Sequence, residues 1–339
     1  MERRDFMAMM LGAAAHGADE RVRIAFLGIR HAHAWEKLRI VRESARWDLA
    51  GVWAEDEELR RKCEQAGVPA LEERQLLEDS SIRVVAVESE VKDHARLARR
   101  ALEAGKHVHV EKPPATTLGE FRALLALAAR KKLLVQVGYM WRFHPSFEAA
   151  SEAARKGWLG EIYLVRGTIN TRVSAGERAK MAQFRGGQMF ELGCHLIDQL
   201  VRLLGRPRKV TPVLGAHGRF ADGLADNTVA VFEYRKALGV ITSATLQPGA
   251  GRHRSFEVFG TNGTAVLRPI EPAKLEIDLA EAAGPYRAGV QAVTLAPYRR
   301  YEAEFEELAA AVRSGTGLRI KPEEEEMVQE AVLRASGMA

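Results

Sequence analysis

Lys112, Glu191 and His195 are side chains of types that can hold or move a proton. An imidazole has an ordinary pKa of ~6.5 and can take the proton of a hydroxyl group at neutral pH. Glu191 stands four residues before His195, which on a helix puts both on one face. There the carboxylate could orient the ring or bind a substrate hydroxyl. Asp198, three residues after His195, is a second candidate for orienting the ring. Lys112 follows the short apolar run Lys106–Val110. At the carboxyl end of a parallel strand a cation lies where open α/β sheets bind ligands, and it can stabilise a developing alkoxide. Pro113 comes next, and an X-Pro bond can adopt the cis form that would aim Lys112. Each residue also has a plainer reading: a surface lysine, a core histidine packed beside Cys194, and a solvated charge at a helix start.

The elements that must position these groups follow from the pattern of apolar residues. Val22–Gly28, Asp48–Trp53, Ile82–Val87, Lys106–Val110 and Leu133–Gly138 read as short buried strands. Helical patterns separate them at 33–42, 57–66, 92–104 and 118–131, the third ending at the C-cap signal Gly105. Such alternation implies right-handed crossovers and a parallel sheet covered on both faces. After Pro145 come a helix over 146–156, a strand over 161–171, the polar loop 171–187 and a helix over 191–203. From Val210 to Leu279 strand-like stretches follow one another without helices, as in an open, largely antiparallel sheet. Helices over 300–314 and 323–334 close the chain. The expected fold class is α/β: a doubly wound domain over 21–142, then an α/β domain with a large mixed sheet over 143–339.

The turn after the first strand reads Gly28-Ile29-Arg30-His31-Ala32-His33. A dinucleotide fingerprint would be G-x-G-x-x-G, whose backbone N–H groups face a pyrophosphate at a helix N-terminus. Only the first glycine is present. Arg30 either pairs a phosphate with its planar fork or blocks the approach. At the end of the second strand Ala54 takes the usual acidic position, and Glu55 beside it is the candidate to reach the ribose.

Composition narrows the classes further. The 339 residues are 47% hydrophobic and 28% charged, an ordinary globular balance that excludes a disordered or collagen-like chain. The two cysteines, Cys63 and Cys194, offer no zinc spacing and no disulfide framework. No clustered ligand spacing supports a metal. The net charge of +5 is scattered over helical faces such as Arg60-Arg61-Lys62, which argues against a nucleic-acid track. No apolar run reaches the ~18 residues of a membrane span. At the N-terminus, Arg3-Arg4, the apolar stretch Met7–Ala15 and small residues resemble a twin-arginine export signal. This implies a periplasmic or exported protein, with a cytoplasmic one as the alternative.

Four further stretches occur in a telling order. Ala104-Gly105-Lys106-His107-Val108-His109-Val110-Glu111-Lys112-Pro113 is the most specific. Gly138–Pro145, Gly186–Asp198 and Phe256–Gly263 follow it, and His94 stands in the loop after the third strand. Together they resemble the glucose–fructose oxidoreductase / inositol dehydrogenase (Gfo/Idh/MocA) family over residues 21–336. The resemblance implies hydride transfer between NAD or NADP, NAD slightly favoured, and a secondary alcohol or ketone of a sugar or polyol. It implies Lys112, Glu191 and His195 as the catalytic set. Gly28, Arg30, His31, Glu55, Ser89, His94, Glu111 and Lys112 become the coenzyme-binding candidates, and Tyr139, Arg142 and Asp198 the substrate-binding ones. The family commonly has aspartate where Glu191 stands. It also implies a homodimer or homotetramer built through the second sheet. Redox-assisted cleavage of a glycoside with transient oxidation, or a carbohydrate-binding protein without coenzyme, are the alternatives.

Overall fold

The computed structural model describes residues 21–339. The residues that resemble an export signal lie outside them. Among the described residues no helix is long and apolar enough to cross a membrane.

The first five strands are β1 (Val22–Leu27), β2 (Trp47–Trp53), β3 (Val84–Val87), β4 (His107–Val110) and β5 (Val135–Val137). They form one parallel sheet in the order β2-β1-β3-β4-β5. All four residues of β3 are buried, as a strand covered on both faces requires. Between the strands run the helices Ala34–Glu43, Glu57–Gln65, His94–Glu103 and Leu118–Lys131. The last is entered through a capping box made by Thr117 and Glu120. The sequence pattern missed the short helix Glu73–Glu78, which presents only one buried side chain, Leu76.

The second sheet has eight strands: β6 (Ile162–Thr168), β7 (Lys209–Gly215), β8 (Asn227–Glu233), β9 (Leu238–Ala244), β10 (Ser255–Gly260), β11 (Gly263–Leu267), β12 (Leu275–Leu279) and β13 (Gly289–Ala292). Their order is β13-β12-β11-β10-β6-β9-β8-β7, antiparallel except where β6 meets β9. One face buries Val165, Ala230, Phe232, Ile241 and Phe256, and the helices Pro145–Arg155 and Cys194–Leu204 pack on the sheet. The other face carries Val213, Val229, Val231, Leu238 and Val240, of which Val213 and Leu238 are 60% and 48% exposed.

The helix Glu302–Ser314 returns to β1 of the first sheet, and the helix Pro322–Ala335 packs against β7 of the second. Phe305 meets the Trp47 ring edge-on at 6.0 Å and lies 4.8 Å from the His109 ring. The Pro322–Ala335 helix packs on the Leu118–Lys131 helix, the Cys194–Leu204 helix and the turn that carries Glu191. The chain end thus clamps both sheets around the site.

Candidate active site

A cleft of about 410 Å³ opens at the carboxyl ends of β1, β3 and β4, where open parallel sheets bind ligands. Its size suits a small molecule. Arg30, His31, Ala32, His33, Ser89, Glu90 and Lys112 line one side. Thr171, Met181, Phe184, Gln188, Glu191 and Arg254 line the other.

Lys112 is aimed across this cleft. It ends β4, the Lys112–Pro113 bond is cis, and its side chain is 3% exposed. Its Nζ donates to both the Glu191 carbonyl and Glu191 Oε1, each at 2.9 Å. Burial disfavours the ammonium, but Glu191 together with the further negative field of Glu111 and Cys194 more than offsets it and holds the Lys112 pKa above its ordinary value. Burial likewise opposes the Glu191 carboxylate, yet Lys112 and His31 pull its pKa down to about 2. Both groups are charged at neutral pH.

Glu191 and His195 are not bonded to each other: Lys112 engages the Glu191 carboxylate, and the His195 ring has no hydrogen-bond partner among the described residues. Met189–Gly193 form a single π turn, and the α-helix starts only at Cys194. His195 is 1% exposed, and neither of its ring nitrogens has a hydrogen-bond partner. It lies behind the cleft wall, with the rings of Trp141, Tyr139 and His33 at 5.6, 6.1 and 6.2 Å. Burial, then the charge of Lys112, pushes its pKa well below the usual imidazole range, so it is a neutral base. A buried imidazole bonded at neither nitrogen lacks a partner that a ligand hydroxyl can supply.

The proposed orienting and substrate groups sit elsewhere. Asp198 accepts from Arg142 Nη2 at 2.8 Å and Nε at 3.1 Å, and Arg142 also pairs with Glu325. All three are buried; Asp198 is taken up by Arg142, and Arg142 does not line the cleft. The Arg142 guanidinium lies over the Tyr139 ring at 4.7 Å. The Tyr139 hydroxyl is buried without a partner.

The glycine turn is filled by its own chain. Gly28 has φ +93°, and a Cβ there would lie 2.8 Å from Glu55 Oε1 and 2.9 Å from Ser89 Cβ. Only glycine fits that backbone and that space. Glu55 folds back to accept from the N–H groups of Ile29, at 3.0 Å, and Arg30, at 3.3 Å. Arg30 pairs with Asp56. His94 lies between the two loops that flank the cleft, with Nδ1 2.8 Å from the Pro113 carbonyl and Nε2 3.1 Å from the Ser89 carbonyl; the neutral ring donates to one of them.

Glu111 lies beneath the cleft, fully buried. Its Oε1 meets His33 Nδ1 at 3.2 Å and His31 Nε2 at 3.9 Å, and Oε2 accepts from Lys37. These two histidines and Glu111 are close enough to share a metal ion, a juxtaposition invisible in a sequence that separates His33 and Glu111 by 78 positions. His31 Nδ1 accepts from the His33 N–H at 3.3 Å. That places the His31 proton on Nε2, facing Glu111 Oε1 at 3.9 Å and Glu191 Oε1 at 3.8 Å, beyond direct hydrogen-bond distance. A second trio, Glu88, His109 and Glu111, already holds a cation: the Lys37 ammonium.

Two functional features escaped the sequence reading. The polar loop contains the helix Ala175–Met181, which places Met181 on the cleft wall. Its capping box, Ser174 with Glu177, was legible. Arg254 on the far wall had no signal, because nothing local marks it as facing a cleft.

The residues fit a nicotinamide coenzyme at the cleft. The helix Ala34–Glu43 presents an N-terminus without a side-chain cap beside it, which suits a coenzyme phosphate.

Comparison with known proteins agrees. Residues 22–139 match the model of the oxidoreductase family with an NAD-binding Rossmann fold. Residues 147–266 match the GFO/IDH/MocA C-terminal domain. An uncharacterized oxidoreductase of Schizosaccharomyces pombe is 31% identical over 212 residues, covering 60% of this chain and 57% of that one. The matched region thus spans little more than half of that relative. Levoglucosan dehydrogenase of Pseudarthrobacter phenanthrenivorans is 25% identical over 67% of this chain and 66% of its own. The crystal structure of aldose–aldose oxidoreductase from Caulobacter crescentus, complexed with glycerol, shares the fold. Its TM-score is 0.80 at 20% identity, over 94% of this chain and 98% of that one. With both domain models matched in order, the chain belongs to the Gfo/Idh/MocA oxidoreductase family.

Proposed function

We propose that the protein is an NAD(P)-dependent oxidoreductase acting on a secondary alcohol or ketone of a sugar, polyol or related molecule. Residues 21–142 would hold the coenzyme, and 143–339 would hold the substrate and join subunits through the uncovered face of the eight-stranded sheet. The observation that carries the reading is the buried Lys112–Glu191 pair at the cleft beside an imidazole with two unpaired nitrogens.

The coenzyme, when bound, accepts or returns the hydride. The chain's own residues handle the proton. In the oxidative direction the neutral His195 takes it from the substrate hydroxyl, and the Lys112 ammonium stabilises the oxygen as negative charge develops. Glu191 keeps Lys112 charged and fixes its direction. His31, His94 and Glu111 shape the coenzyme side.

The test mixes purified protein, NAD or NADP, and a panel of sugars, anhydro sugars and polyols, followed at the reduced-coenzyme absorbance. Turnover is expected, and it should be lost in Lys112→Met and His195→Ala. Wild-type rates in both variants would overturn the catalytic assignment.

One observation favours a second reading, a carbohydrate-binding protein without coenzyme. Glu55 already occupies the N–H groups that a pyrophosphate would need. Titration with NADH, read by energy transfer from tryptophan, decides between them: saturable micromolar binding removes the second reading.

A further inference from the structure

The cleft walls carry five cations: Arg30, Lys92, Lys112, Lys180 and Arg254. Four of them already have a carboxylate. Arg30 pairs with Asp56, Lys92 with Glu90, Lys112 with Glu191, and Lys180 reaches Glu90 at 4.0 Å. Arg254 has no carboxylate within that distance among the described residues. The acid whose field it feels, Glu271, is bound by Arg300. The cleft's own acids are also engaged: Glu191 by Lys112, Glu90 by Lys92, and Glu177 by the Ser174 cap.

Arg254 is held by one bond, from Nε to the Asn170 carbonyl at 3.1 Å. That contact anchors the guanidinium at one end, and among the described residues neither terminal nitrogen has a hydrogen-bond partner. Two parallel N–H donors of this kind match the oxygens of a carboxylate or phosphate. Burial disfavours its charge, as expected of a cation that lacks its counter-ion. It also lies near enough to His195 for its charge to oppose protonation of that ring.

We infer that Arg254 is a specificity residue for an oxyanion group on the substrate, so that the cleft takes an acidic sugar, carboxylated or phosphorylated, over its neutral counterpart. The inference rests on the oxidoreductase reading for what happens to that sugar, but not for whether it binds.

Calorimetric titration of the full chain, with and without NAD, uses D-glucuronate, D-glucose 6-phosphate and D-glucose as probes. At least one acidic probe should bind roughly ten- to a hundredfold tighter than glucose, the range of a charge-assisted fork. Which one does so distinguishes carboxylate from phosphate. Arg254→Gln should bring the acidic-to-neutral ratio to about one, and Arg254→Lys should keep part of it. Equal binding of all three probes, no binding of any, or the same loss on every probe in Arg254→Gln overturns the inference. Failure of the redox assay alongside an Arg254-dependent preference would instead remove the oxidoreductase reading and leave this one standing.

Discussion

Glu111 separates two ion clusters built from the same residue types. On its inner side, Lys37 donates to Glu88 Oε1 at 2.8 Å, to Glu111, and to His109 Nε2 at 2.9 Å. All three ammonium protons are used. His109 accepts at Nε2, so its proton sits on Nδ1 and goes to Gln136 Oε1 at 3.0 Å. The Gln136 amide then donates to the Glu304 carbonyl at 3.0 Å. Lys37 and His109 are wholly buried, and every nitrogen of the two side chains is bonded to a protein atom. On the outer side, Lys112 serves only Glu191 among its recorded partners, and His195 serves nothing. A lysine, a glutamate and a histidine are structural in one place and available for chemistry in the other. The difference lies in unpaired nitrogens beside a cleft, and not in residue type or burial.

The sharpest way to break this comparison is to delete members of the outer cluster. Lys112→Met and His195→Ala should each lower kcat/KM by about 10²–10⁴, the usual weight of an electrostatic stabiliser or a general base. Steady-state rates on the best substrate of the panel measure this. His195→Ala should move the unfolding midpoint less than any deletion in the inner cluster, since His195 gives up no hydrogen bond.

The mirror experiment is Lys37→Met. It removes the cation that Glu111 and Glu88 share and leaves a buried carboxylate uncompensated, at a cost of about 3–5 kcal/mol. Adding Glu111→Gln should recover part of that loss. Urea unfolding of the two variants reads it. A Lys37→Met protein as stable as wild type would show that the inner cluster is not sealed.

These contrasts mark how far the sequence could be read. The parallel sheet was legible because β1 and β3 are short apolar runs bounded by turns and helices. The Leu118–Lys131 helix was legible to the residue. Lys112 was legible from its place at a strand end. What local pattern hides is contact between distant segments. Nothing near Asp198 announces that Arg142 and Glu325 will enclose it. Nothing near His33 announces Glu111. The i, i+4 spacing that paired Glu191 with His195 likewise gives no sign that Lys112 will engage the Glu191 carboxylate.

A smaller effect separates the clusters by pH. Burial raises the pKa of Glu304 and of Glu88 to about 8. Burial lowers His109 to about 3, and His33 and His144 to about 4. Between roughly pH 4.5 and 8 the folded chain holds the two carboxyl protons that the unfolded chain releases, so those groups make stability fall as pH rises. Below ~6.5 the unfolded chain binds histidine protons that the folded chain refuses, so stability falls as pH drops toward 4. The maximum should lie near pH 6.5. Above it each carboxyl contributes a decline of at most about 1.4 kcal/mol per pH unit. Glu304→Gln, an isostere of the protonated acid, should flatten that decline. Parallel urea-derived curves for wild type and variant between pH 6.5 and 8.5 would contradict the assignment.

Glu55 belongs to neither cluster, and it tests the comparison at its weakest point. Its carboxylate is partly exposed, yet it is engaged by two backbone N–H groups in the turn meant for a pyrophosphate. If it acts as a plug, an incoming coenzyme must displace a charge of its own sign. Glu55→Gln keeps an acceptor for the turn and removes that repulsion, so NADH should bind about two- to fivefold tighter, the scale of a partly screened surface charge. If Glu55 instead swings out to hold the ribose hydroxyls, the amide loses an ionic acceptor and affinity should fall by a similar factor. The two outcomes have opposite signs. The salt dependence separates them again: relief of repulsion shrinks as ionic strength rises, whereas a lost hydrogen bond to a neutral hydroxyl persists. A plug that yields to the coenzyme would make Glu55 a gate on the outer, available side of the molecule, and one that never yields would place it with Lys37 among the sealed charges.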